Sequence, residues 1–213
     1  MEKQLPHSPE LFQYVVEHSL KPDDALLAIE ETSAGSSMQM TTEQGALFTV
    51  LVGALQPKLA VEVGTFTGYG AVSIARGLAP GGRLICCELD AERAKLAYEN
   101  ISRAGVGDVV EMRVGPALET LRSLPSDPVV DFAFIDADKT GYLGYYEELV
   151  PRMRPNGLIA LDNTLFSGDV VNPSVRSDTV VALREVNDVV AGDERVQAAM
   201  VPFADGVTFV RKL

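Results

Sequence analysis

From Leu59 onward, short apolar runs alternate with stretches of helical periodicity. The runs are Leu59–Val63, Arg83–Cys87, Val109–Val114, Val129–Ile135 and Leu158–Leu161. The segments Gly68–Leu78, Ala91–Ala104, Pro116–Leu124 and Gly141–Met153 lie between them as helical candidates, and a later helix spans about Thr179–Val190. This alternation predicts an α/β fold: an open, mostly parallel sheet with helices on both faces. The tail departs from it. Val196–Val201 and Gly206–Val210 are strand-like but separated only by Pro202 to Asp205. That is too short for a parallel crossover, so the two should form an antiparallel hairpin and complete a seven-stranded sheet.

Before Leu59 the pattern is helical throughout. Helices are expected at Pro9–Leu20, at Pro22–Thr32 with Asp23 and Asp24 near its start, and at Thr42–Leu55. No repeat, low-complexity tract or linker interrupts the chain. The expectation is one domain over residues 1–213, with 1–57 as a helical cover on a core at 58–213.

Composition narrows the function. The 213 residues carry a formal charge of −12, which repels phosphate backbones and argues against a nucleic-acid substrate. No apolar run is long enough to span a bilayer, and the first residues, MEKQLPHSPE, contain no apolar stretch of the secretory kind. A cytoplasmic protein acting on a small molecule, without membrane association, is expected. Cys86 and Cys87 are neighbours in a strand and point to opposite faces, so they should be buried thiols rather than a disulfide.

Ligands of such sheets bind beyond the carboxyl ends of the strands. The first strand ends in Glu62-Val63-Gly64, and the turn continues through Thr65 and Phe66 to Gly68 and Gly70. Its spacing, G-x-x-x-G-x-G, differs from the dinucleotide fingerprint G-x-G-x-x-G. The second strand leads into Glu88, placed to accept hydrogen bonds from ribose hydroxyls. NAD and S-adenosylmethionine both present such hydroxyls, so Glu88 does not separate them. The fourth and fifth runs lead into Asp136 and Asp162-Asn163, two carboxylates and an amide. Such oxygen donors suit Mg²⁺, with Mn²⁺ or Ca²⁺ as alternatives, and they suit zinc poorly. Lys139, three residues after Asp136, is placed to take up a proton. The histidines, His7 and His18, lie far in sequence from every strand end.

The stretches VEVGTFTGYGAVSIARGL, ELDAER, GPAL, FIDADK, LDNTLFSG and DGVTFVRKL resemble the cation-dependent O-methyltransferases of the catechol and caffeoyl-CoA type, small bacterial members included. A mostly parallel sheet closed by a C-terminal antiparallel hairpin is also the Rossmann-like arrangement of class I methyltransferases. The resemblance implies S-adenosylmethionine and a divalent cation as cofactors, a phenolic small-molecule substrate and a homodimer. It implies metal ligation by Asp136, Asp162 and Asn163, and catalysis by Lys139 with Asp136. It places Met38, Glu62, Gly64, Thr65, Phe66, Gly70, Glu88, Ala117 and Asp136 around S-adenosylmethionine, and Phe166 beside the substrate. Two positions depart from the family. Gly70 stands where a serine usually meets the cofactor's carboxylate, so Gly70→Ser is expected to tighten cofactor binding. Phe166 stands where many members have tryptophan.

The expected reaction is metal-dependent methyl transfer from S-adenosylmethionine to one hydroxyl of a catechol-like molecule. Two alternatives carry part of the pattern: an NAD-dependent oxidoreductase, and a non-catalytic module that keeps the cofactor pocket.

Overall fold

The computed structural model describes residues 8–36 and 38–213. Three helices come first: α1 (Pro9–Glu17), α2 (Asp24–Thr32) and α3 (Thr42–Leu55). The strands are β1 (Leu59–Val63), β2 (Arg83–Glu88), β3 (Val110–Val114), β4 (Val130–Ile135), β5 (Met153–Leu161), β6 (Val196–Val201) and β7 (Val207–Lys212). Helices α4 (Tyr69–Ala75), α5 (Ala91–Arg103), α6 (Ala117–Ser123), α7 (Tyr142–Leu149) and α8 (Asp178–Gly192) connect them. The sheet order is β3-β2-β1-β4-β5-β7-β6. The first five strands run parallel, and β7 pairs antiparallel with both β5 and β6.

Strand residues alternate between two cores. Ala60, Phe132 and Phe134 face a layer that includes Phe48 and Val52 of α3 and Val72 of α4. Val61, Ala133 and Ile135 face the opposite layer, with Tyr142 and Tyr146 of α7 and Leu183 and Val186 of α8. The two-residue side-chain period of a strand, applied to continuously apolar runs, requires helices on both sides. Phe48 packs on Phe134 with ring centroids 4.6 Å apart, which fixes α3 against the sheet.

Helix starts follow their caps: the side chains of Ser8, Asp23, Thr41, Asp90 and Ser177 each accept a backbone N–H of the first turn. Cys86 and Cys87 are both buried and free, as expected from their opposite orientations. Among the described residues no helix is long and apolar enough to cross a membrane.

Several boundaries differ from expectation. Helix α4 begins at Tyr69 and ends at Ala75 rather than running from Gly68 to Leu78. Gly68, at φ 94°, lies outside the helix as its cap, and Gly77 packs against the α3 backbone at Gly53. The segment expected as one helix over Gly141–Met153 is α7 flanked by two 3₁₀ turns, because Pro151 has no N–H with which to continue the helix. Strand β5 begins at Met153, five residues before the expected Leu158. Its register with β4 shifts between Val130 and Phe132, and the slack is taken up around Pro155, Asn156 and Gly157, with Asn156 at φ 67°.

Candidate active site

The strand ends on one side of the sheet are laced together by backbone hydrogen bonds. Gly64 N–H donates to Cys87 O (2.9 Å), Asp136 N–H to Val63 O (2.8 Å), and Asp162 N–H to Ile135 O (3.0 Å). Beyond these ends lies a cavity of about 1170 Å³. Every residue singled out from the sequence for cofactor, metal, proton or substrate contact lines it, from Met38 to Phe166. The histidines do not: His18 stacks on Tyr14 just after α1, and His7 lies outside the described residues.

The turn after β1 depends on a bare backbone at Gly64. Its φ is 91°, and a Cβ there would overlap the Asp136 carbonyl oxygen. Glu88 fastens the turn from the side. Its Oε2 accepts the Phe66 N–H (2.9 Å) and its Oε1 the Asp90 N–H (3.1 Å). A carboxylate oxygen has more than one lone-pair direction, so each can still accept a hydroxyl from the cavity. Phe66, Asn163, Phe166 and Ser167 have φ values of 52°, 55°, 46° and 54°. Left-handed conformations are costly for such side chains, and all four lie at the cavity wall.

At the floor, Lys139 Nζ donates to Asp136 Oδ1 (2.9 Å) and to the Tyr142 hydroxyl (2.7 Å). Tyr142 is fully buried, and its oxygen lies 3.1 Å from both Ile135 O and Asp162 O, so it ties the ends of β4 and β5 together. Asp162 is 2 % exposed. Burial, and then the neighbouring Asp136 charge, raise its carboxyl above the usual carboxylate range. Its Oδ1 accepts from Gln44 Nε2 (2.9 Å) and from Asn163 N–H (2.8 Å). Tyr142 and Gln44 were not identified from the sequence. Gln44 left one local signal, as the fourth residue of Thr41-Thr42-Glu43-Gln44, a helix-capping pattern.

Glu62 lies deeper, 1 % exposed. Burial pushes its carboxyl up to about 8, and its Oε2 accepts from the Cys86 thiol (3.4 Å). Gly70 has an ordinary helical φ, and its missing side chain leaves space that Glu62 fills. A Cβ on Gly70 would stand 2.5 Å from Glu62 Oε1 and 3.0 Å from Met40 Cε.

The donor chemistry at the floor fits a hard divalent cation. Burial and the Asp136 charge raise the proton affinity of Asp162, and a cation shared by the two carboxylates relieves that repulsion. Only two of the three candidate ligands are acidic, and among the described residues no group of three or more His, Cys, Asp or Glu side chains is placed to hold a metal ion. Asp136 is instead neutralised by Lys139. The turn and Glu88 fit a nucleoside whose ribose hydroxyls reach the Glu88 carboxylate.

A family model described as O-methyltransferase matches residues 17–213. A mouse protein, catechol O-methyltransferase domain-containing protein 1, is 35% identical over 98% of this chain and 82% of its own length. Maize caffeoyl-CoA O-methyltransferase 2 is 34% identical over 99% and 86%. The O-methyltransferase of Bacillus cereus, solved in complex with SAH, superposes with a TM-score of 0.89 at 29% identity, covering 96% of this chain and 97% of that one. An O-methyltransferase of Streptomyces achromogenes, solved with SAM, gives a TM-score of 0.87 at 28% identity over 95% and 96%.

Proposed function

This chain belongs to the O-methyltransferase family, and we propose that it transfers the methyl group of S-adenosylmethionine to one hydroxyl of a catechol-like small molecule with a divalent cation bound at Asp136, Asp162 and Asn163. Family membership sets aside the oxidoreductase alternative. The observation that carries the finer reading is the cavity floor: Asp136, Asp162, Asn163 and Lys139 line one wall of the same cavity as Glu88 and the glycine turn.

When bound, a cation of this class lowers the pKa of a coordinated phenol and fixes its oxygens. The protein's own groups do the rest. With the cation on Asp136, the Lys139 ammonium gives up its proton to solvent and the neutral Nζ takes the hydroxyl proton; Tyr142 and Asp136 hold that nitrogen at the floor. The acceptor oxygen bonds to the methyl carbon as the carbon–sulfur bond breaks, and the electron pair goes to sulfur. Glu88 accepts the ribose hydroxyls while it keeps the Phe66 turn in place. Ala117 leaves room for the adenine ring, and Gly64 lets the backbone approach the amino-acid part. Phe66 and Phe166 supply apolar walls that keep water from the reacting atoms. Much of the acceleration comes from orientation, since the protein forms no covalent intermediate.

The test is methyl transfer to a panel of catechols, with the enzyme stripped by EDTA and then resupplied with Mg²⁺. Mono-methylated products should appear only with Mg²⁺. Full turnover in excess EDTA would remove the cation from the mechanism, and absence of transfer to every catechol would remove the acceptor class.

A further inference from the structure

Gln44 joins two parts of the molecule that are 118 residues apart in sequence. It is 3 % exposed, and both ends of its amide are engaged. Its oxygen accepts the Thr41 backbone N–H (3.2 Å) and the Thr41 hydroxyl (3.2 Å), closing the capping box at the start of α3. Its nitrogen donates to Asp162 Oδ1 (2.9 Å). That same oxygen also accepts the Asn163 N–H (2.8 Å). Two donors therefore converge on Oδ1, whereas Oδ2 accepts no hydrogen bond among the described residues, and Asp162 lines the cavity. Two donors on one oxygen set the plane of a carboxylate and leave the other oxygen to a ligand.

We propose that Gln44 is a positioning residue for the cation site: its hydrogen bond orients Asp162 so that Oδ2 faces the cavity. This rests on the cation reading given above. Helix α3 can deliver the amide reproducibly because Phe48, one turn further on, is fully buried against Phe132 and Phe134 of β4. The capping box fixes the first turn, and the aromatic contacts fix the height of the helix over the sheet. A partner that hydrogen-bonds a metal ligand from outside typically changes metal affinity 10–100-fold when removed.

The experiment is a titration of the metal-stripped full-length protein with Mn²⁺, with free Mn²⁺ read by electron paramagnetic resonance. SAH affinity and melting temperature are measured alongside. Gln44→Met keeps the side chain's length and removes the amide; Gln44→Ala serves if the longer side chain is not accommodated. Thr41→Val removes the hydroxyl half of the capping box and leaves the Gln44–Asp162 hydrogen bond. Mn²⁺ affinity should fall roughly 10–100-fold in a folded Gln44 variant. In Thr41→Val it should stay within about threefold, although the melting temperature falls with loss of the cap. Equal Mn²⁺ affinity in wild type and Gln44→Met overturns this inference alone. The same loss in Thr41→Val as in Gln44→Met also overturns it, since the cap would then be the cause. Absence of saturable Mn²⁺ binding by the wild type overturns the cation reading and this inference with it.

Discussion

The Glu62 carboxylate stands where a side chain on Gly70 would begin, with Oε1 2.5 Å from the position of a Cβ there. The gain in cofactor affinity expected from Gly70→Ser is therefore not available without moving a buried acid. Overpacking of this kind costs about 1–3 kcal/mol. Gly70→Ser should lower the melting temperature and leave SAH binding no tighter than in wild type. In a Glu62→Ala background the same serine should be tolerated. A double-mutant cycle with no coupling between the two positions would show that the contact is relieved elsewhere.

Glu62 should also give the protein a pH-dependent stability. Its carboxyl is raised from 4.5 to about 8 by burial. Between those values the unfolded chain releases this proton while the native protein keeps it. Stability contributed by the group is then intact below the unfolded pKa and falls as pH rises toward the native one. Glu62→Gln should remove that slope, so its advantage over wild type widens between about pH 5 and about pH 8. Urea denaturation of the EDTA-treated protein at several pH values measures it. An advantage independent of pH would place the ionisation elsewhere.

Glu88 serves the turn as well as the ligand, because its oxygens accept the Phe66 and Asp90 N–H groups. Glu88→Ala should weaken SAH binding by about tenfold or more, since hydrogen bonds to charged groups contribute roughly 1.5–3 kcal/mol each. It should also lower the melting temperature, because two backbone donors lose their acceptor. Unchanged calorimetric affinity for SAH would remove Glu88 from the ribose site.

Lys139 and Tyr142 can be separated by acceptor acidity. Lys139→Ala should lower kcat by roughly 10²–10⁴-fold on ordinary catechols. It should cost much less on nitrocatechols, which arrive ionised. Tyr142→Phe keeps the lysine but removes its 2.7 Å partner, so its loss should be smaller and follow the same acceptor trend. Equal impairment of Lys139→Ala on acidic and ordinary catechols would reduce the lysine to an orienting charge.

The sequence displayed the strand ends clearly, since continuous apolar runs stop abruptly at Gly64, Glu88, Asp136 and Asp162. It displayed Lys139 for a related reason: three residues is within local reach of Asp136. Gln44 was hidden because its partner lies 118 residues away, and no local pattern reports such a contact. Tyr142 was hidden because a buried tyrosine on a helix reads as core, and only the fold shows its hydroxyl between two strand ends. The start of β5 was masked by Pro155 and Gly157, which signal a turn locally but here sit in a bulge whose flanks pair with β4. The space beside Gly70 was also invisible, because a glycine in sequence does not say which neighbour fills its place.

The order β5-β7-β6 has a consequence in time as well as in space. Strand β6 leaves the ribosome before β7, yet β7 is its partner in the sheet, so β6 must wait for the later strand. The same late strand completes the end of β5: Leu161 pairs with Thr208, and the Thr208 hydroxyl donates to that of Thr164, two residues past Asp162. Gly206 O accepts the Thr164 N–H, anchoring the segment that leads to Phe166. The half of the cavity that carries Asp162, Asn163 and Phe166 is thus assembled by a strand that is synthesised after the other six. A nascent chain halted before Val207 should hold the β1 turn and Glu88 yet lack a finished acceptor side, so competence arrives only once β7 has docked.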